Sequence, residues 1–217
     1  MNNPRTTRLS PWFIAVTVGV TGCWLALIVM LASRGVFQAQ PPALPLALLV
    51  AIVVPPTAFA LLLKFSATVH RQILAINPVW LCAVQGLRIL GVGFLFVYAF
   101  GHLPGVFAHM AGWGDLLVAV LAPFAAAHLA KHPEFLRSVW LWRFHALGML
   151  DFVGAVGSGL MARGLFTGVV AVPDTAPLAE LPLALIPGFA VPLWICLHIA
   201  AFTQIKKARA DARAFEV

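Results

Sequence analysis

Residues 12–33 read WFIAVTVGVTGCWLALIVMLAS, 22 positions without one charged side chain. An α-helix rises about 1.5 Å per residue, so this stretch reaches ~33 Å and crosses a hydrocarbon core of about 30 Å. Arg5 and Arg8 stand in front of it, as basic residues stand in front of a secretory signal. The apolar run is too long for a signal peptide, and no small-residue cleavage site follows before the next loop. It is therefore expected to stay as a first membrane helix.

Working outward, the same criterion picks five more segments, near 43–63, 79–100, 113–130, 139–162 and 182–205. The expected fold is all-α, a polytopic bundle of six transmembrane helices forming a single domain over residues 1–217. Composition agrees, with 62% of residues hydrophobic and 10% charged, against about 25% charged in a soluble domain. Such a chain lacks the polar surface to face water all round. Lipid must cover part of it.

The formal charge of +7 does not point to nucleic acid, because the basic residues sit in short loops and form no continuous surface. Arg5, Arg8, Lys64, Arg71, Lys131, Arg137, Lys206, Lys207, Arg209 and Arg213 fall on one side of the six segments. Arg34 and Arg163 fall on the other, and Arg88 and Arg143 lie within segments. By the positive-inside rule both termini are expected in the cytoplasm of a bacterial inner membrane, with anionic lipid head groups beside the basic loops. Partner membrane subunits or a homo-oligomer are compatible with this reading.

Prolines mark the three descending helices: Pro55 with Pro56, Pro123, and Pro192. Each removes a backbone hydrogen bond, so kinks are expected in helices 2, 4 and 6. The outer connections, 38–42, 101–112 and 164–181, are apolar and rich in turn residues. In the second, Leu103 to Ala108 could form a short interfacial helix starting near Pro104.

Ionisable residues inside the segments carry the functional argument, because a charge at mid-bilayer costs about 2.5–3.5 kcal/mol or more. Arg88 and Asp151 lie on ascending helices at matching depth, ~13–18 Å from the cytoplasmic edge by the helical rise. They are expected to face each other, with Gln85 three residues before Arg88 on the same face. The pair is either a substrate, proton or ion site, or a structural clamp. Asp151 belongs to a small-residue face with Gly148, Ala155, Ser158 and Gly159, and helix 4 carries a matching seam of Asp115, Ala119, Ala122 and Ala126. Small residues let helices approach closely in lipid.

His145 and His198 should lie level with each other, ~10 Å below the cytoplasmic edge. They could ligate a haem b iron or a metal, or hydrogen-bond to each other. Asp115, after Gly112-Trp113-Gly114, reads as the cap of helix 4. The other reading joins it to His102 and His109 as an outer-face metal or quinol-head site. Cys23, Cys82 and Cys196 lie in apolar segments without metal-finger spacing and read as packing residues. No G-x-S-x-G, H-E-x-x-H or phosphate-binding glycine loop is present.

The stretches Gln85-Gly86-Leu87-Arg88, Leu103 to Ala108, Ala111 to Asp115, His145 to Asp151, and Leu183 to Pro192 with His198 resemble a family of uncharacterised bacterial multi-pass membrane proteins of this size. The resemblance covers most of the chain. It implies the six-helix fold and no activity, and it takes in Arg88, Asp115, Asp151 and His198. Three function classes follow: an intramembrane binding or transport protein using Arg88 and Asp151; a haem b or quinone-linked redox subunit using His145 and His198; and a non-catalytic accessory subunit of a larger complex.

Overall fold

The computed structural model describes residues 9–215, which are helical with no strand among them. Arg5 and Arg8 lie outside the described residues. Six helices are long and apolar enough to cross a membrane: α1 Pro11–Ser33, α2 Leu46–Phe65, α3 Pro78–Ala99, α4 Gly105–Lys131, α5 Val139–Ala162 and α6 Ile186–Ala214. A short helix, Ala67–Leu74, joins α2 to α3. In lipid a spanning segment must satisfy its own backbone groups, so long apolar runs rich in Val, Leu and Ile fold as helices despite their β-branched residues.

Three of these helices begin at side-chain caps. The Ser10 hydroxyl accepts from Phe13 N–H at 3.1 Å, Asn77 Oδ1 from Val79 N–H at 3.0 Å, and the Ser138 hydroxyl from Leu141 N–H at 3.0 Å. Pro11 and Pro78 follow two of the caps, where a missing N–H costs nothing. Losing one cap removes about 1 kcal/mol.

The helices differ in how much they are enclosed. Only 6% of the apolar window of α1 is buried, against 39% for α4, so α1 lies at the edge and α4 at the centre. One core cluster joins α3 to α6 through Cys82, Val118, Ala122, Leu141 and Ile205. A second seats α1 and α2 against the chain leading into α6 through Ile28, Ala32, Leu48, Ile52 and Ala184.

Helix α4 starts at Gly105 rather than near 113, with Pro104 extended in front of it at φ −72°, ψ 137°. The expected loop over 101–112 is therefore mostly helix, and the expected interfacial helix is the first turn of α4. Glycines that look like turn signals are packing glycines here. A Cβ on Gly112 would lie 2.6 Å from Leu95 Cγ, and one on Gly114 would lie 1.5 Å from Asp151 Oδ1. Buried residues recur helically through Ala108, Ala111, Asp115, Ala119, Ala122 and Ala126, the period of one enclosed face.

Helix α3 is not uniform. An α-helical turn, Pro78–Ala83, gives way to a 3-10 stretch, Val84–Val92, before α-helix resumes over Gly93–Ala99. Three residues per turn align every third side chain. Cys82, Gln85, Arg88, Gly91 and Phe94 accordingly form one buried row. A 3-10 run this long is uncommon, and such stretches mark strain or function.

Pro55, Pro56 and Pro123 lie inside α2 and α4. Ahead of Pro192 the first turn of α6, Ile186–Ala190, widens to π geometry, with Val191 N–H donating to Ile186 O.

Candidate functional site

The buried row of α3 carries Arg88 into the middle of the α3–α6 core, where the residue is 0% exposed. Its Nε donates to Asp115 Oδ1 at 2.7 Å. Nη2 donates to Asp151 Oδ2, and Nη1 donates to Gly148 O at 3.1 Å and meets His198 Nε2 at 3.4 Å. Four of the five guanidinium N–H groups thus have partners, drawn from α4, α5 and α6. The Phe152 ring lies 4.0 Å from the guanidinium carbon, in cation–π contact.

Three glycines make this convergence possible. A Cβ on Gly91 would lie 2.1 Å from Asp115 Oδ2, and one on Gly148 would lie 2.5 Å from His198 Nε2. Gly114 does the same for Asp151, as above. Each is a place where one helix backbone yields to a polar side chain of another. The small-residue seams therefore serve the polar cluster as well as helix packing.

The arginine also orders the histidines. Because Arg88 Nη1 can only donate, His198 Nε2 must accept, which puts the His198 proton on Nδ1. His198 Nδ1 stands 2.9 Å from His145 Nδ1, so it donates and His145 accepts. The His145 proton is then on Nε2, which lies 3.9 Å from Cys82 Sγ. Nitrogen NMR of labelled imidazoles checks this order; the expected result is an Nδ1–H tautomer at His198 and Nε2–H at His145, and the reverse pair would contradict it.

As a haem site the pair does not fit. Two metal–imidazole bonds of about 2 Å on opposite sides of an iron separate the nitrogens by about 4 Å. Here the facing nitrogens are 2.9 Å apart and the ring centroids 5.1 Å, with nothing between them that a porphyrin could occupy.

The outer-face group does not come together either. His102 is exposed in the turn before α4. His109 stacks edge-on against Tyr98 and accepts from Trp113 Nε1 at 3.2 Å. Asp115 lies well inside α4, turned to Arg88, so it is no helix cap. No three His, Cys, Asp or Glu side chains converge to hold a metal among the described residues. Gln85 sits one 3-10 turn from Arg88, fully buried, with Oε1 unpartnered and Nε2 donating weakly to Leu81 O at 3.5 Å.

A cavity of about 90 Å³ opens beside the two carboxylates. Phe94, Phe107 and Phe152 line it with Asp115 and Asp151 at one end, and Arg163 and Thr175 line the other. By liquid density its volume matches about three waters or one small organic molecule. Hydrogen bonds to Arg88 occupy only one oxygen of each aspartate; Asp115 Oδ2 and Asp151 Oδ1 have no N–H or O–H partner among the described residues.

On sequence Arg163 is only an outer-loop charge. It is buried, and it donates to Ala39 O at 2.7 Å, to Ala43 O at 2.9 and 3.2 Å, and to the Thr175 hydroxyl at 3.4 Å. Burial pulls its pKa below the ordinary arginine value, with Asp174 opposing the shift. Its spacing of four from Gly159, on the small-residue face of α5, is the signal that could have placed it inside. Arg163→Ala should free both outer loops, and limited proteolysis should cut 164–181 several-fold faster than in the parent; an unchanged rate would show that the loops are held by other contacts.

Residues 44–206 match a family model described as Domain of unknown function (DUF8737). The chain belongs to that family. The matched stretch takes in α2 to α5, most of α6 and every member of the polar cluster, while α1 lies outside it. No curated protein and no solved structure matches the chain.

Proposed function

We propose that this DUF8737 protein is an intramembrane binding protein of the bacterial inner membrane, and that its ligand is a small apolar molecule carrying a positive charge or a strong hydrogen-bond donor. The observation that carries this reading is a count of charge at the carboxylate end of the cavity, ~18 Å along α5 from the Arg163 that lines its far end. One guanidinium faces two carboxylates, Asp115 and Asp151, and both carboxylates border the cavity while the guanidinium is sealed behind them. With all three ionised the cluster is negative by one. A proton or a cationic ligand balances it.

Aromatic walls favour the ligand. The rings of Phe94 and Phe107 offer apolar contact and a cation-attracting face beside the carboxylates. The basic residues of the loops support a cytoplasmic location for both termini, and with it a periplasmic side for Arg163 and its loops. Entry or release on that side would require these loops to open, and transport would add a second opening at the cytoplasmic end. Pro55, Pro123 and Pro192, as hinge points of α2, α4 and α6, would supply that movement.

Butylammonium, butanol and butyrate form a test series of equal length. If an uncompensated charge at this depth is worth about 2.5–3.5 kcal/mol, butylammonium should bind on the order of 100-fold more tightly than butanol, with butyrate weakest. Calorimetry on the protein in detergent micelles reads the order directly. Equal affinities for all three would reject the reading.

Neutralising one acid gives a second outcome. Asp151→Asn leaves one guanidinium facing one carboxylate, so the folded protein should lose little stability or gain some. Its preference for butylammonium over butanol should fall to a few-fold at most. A purely structural clamp would instead lose stability with either partner, and thermal unfolding of the variant distinguishes the two.

A further inference from the structure

A second concavity lies away from the polar cluster, between the first turns of α5 and the end of α6. Its volume is about 570 Å³, and it is lined by Trp142, Phe202, Lys206, Arg209 and Arg213 among others, with no carboxylate among the described residues. Lys206, Arg209 and Arg213 follow one another at spacings of three and four, so they share a face of α6. Like charges at such spacings repel. On the neighbouring face the chain answers the same problem with a counter-charge, since Lys207 is paired with Asp211 four residues on. Among the described residues the groove holds no such partner.

One of the three cations is held in place. Arg209 Nε donates to Arg137 O at 2.9 Å and Nη2 to Ser138 O at 2.7 Å, which fixes the guanidinium at the rim and leaves Nη1 without a partner among the described residues. Lys206 and Arg213 flank it, both exposed. Beside these cations Trp142 and Phe202 line the groove with ring centroids 6.0 Å apart, an apolar wall next to a cationic rim. A charged rim beside aromatic side chains at a helix end matches the head-to-chain boundary of a phospholipid.

We propose that this groove binds the phosphate head group of an anionic phospholipid, with Arg209 as the fixed contact, Lys206 and Arg213 closing on either side, and an acyl chain running along Trp142 and Phe202. Such a lipid supplies negative charge to an α6 face on which the described residues of the groove place none, and it ties the end of α6 to the start of α5. The site is separate from the Asp115 and Asp151 cavity, so either proposal can fail without the other.

The test is native mass spectrometry of the full chain released from micelles doped with phosphatidylglycerol or with phosphatidylcholine of the same acyl chains. The expected result is a retained phosphatidylglycerol adduct, favoured at least ten-fold over phosphatidylcholine. That preference should fall to near unity in Lys206→Gln/Arg213→Gln, which leaves the Arg209 contacts to Arg137 and Ser138 intact, and persist in Lys64→Gln/Arg71→Gln, which removes as much charge elsewhere. Equal retention of the two lipids, or equal loss in both double variants, would overturn the proposal. So would a parent preference abolished by millimolar inorganic phosphate alone, which would assign the cations to a soluble anion.

Discussion

Arg88→Met is expected to unfold this protein more readily than any other single substitution in the membrane-spanning helices, with a loss of about 3–5 kcal/mol. Methionine follows the aliphatic stem of the arginine but ends at about the level of Nε, so some packing is lost with the guanidinium. What changes is that Asp115 and Asp151 are left facing each other, enclosed by α3, α4 and α5, without the guanidinium that both bind. Gly148 O and His198 Nε2 lose their donor at the same time. Unfolding in mixed micelles reads the loss. Adding Asp115→Asn and Asp151→Asn to Arg88→Met should restore a large part of it, because the cost lies in the unpaired charge. If the triple variant is no more stable than Arg88→Met alone, the loss comes from packing.

The second large effect is expected at Gly114, where an added methyl would stand 1.5 Å from Asp151 Oδ1. That distance cannot be met by a small shift, so Gly114→Ala must either push α4 from α5 or turn the aspartate away from Arg88. Overpacking costs about 1–3 kcal/mol, and losing the ion pair adds to it. The double variant Gly114→Ala/Asp151→Ala removes the clashing carboxylate. It should be more stable than the sum of the single effects by about 1 kcal/mol or more, as for residues in contact. Strict additivity would mean that the glycine and the aspartate do not meet.

Arg88 and Asp151 can be brought together from sequence because depth in a membrane is a count of residues, and two costly charges at one depth have a common solution. Asp115 could not be assigned in the same way. Its three predecessors, Gly112, Trp113 and Gly114, carry the signature of a turn and cap, and only the tertiary contacts with Leu95 and Asp151 reveal those glycines as packing positions. Its seam with Ala119, Ala122 and Ala126 was legible, and continued toward the N-terminus through Ala111 and Ala108 it indicates one long helix.

The 3-10 stretch of α3 had a fainter trace. Cys82, Gln85, Arg88, Gly91 and Phe94 fall at a spacing of three, a period that an apolar helix with residues of similar hydropathy on all sides does not display. The histidine pair is a different case. Equal depth for His145 and His198 is compatible with a shared ligand and with a direct hydrogen bond, and only the 2.9 Å separation of the Nδ1 atoms distinguishes them. Arg163 was hidden by its position just beyond a helix end, where a cation ordinarily reaches water. Carbonyl groups of the loop at 39–43 instead fold over it.

A cation-bearing apolar molecule in the cavity at Asp115 and Asp151 would stand against the phenylalanine rings that line it. The most direct measurement is of intermolecular nuclear Overhauser effects between butylammonium and protein with labelled phenylalanine rings. Contacts are expected from the ligand's methylene protons to Phe94, Phe107 and Phe152, with their disappearance in Asp151→Asn. Contacts confined to exposed rings such as Phe65 and Phe124, unchanged by that substitution, would contradict it.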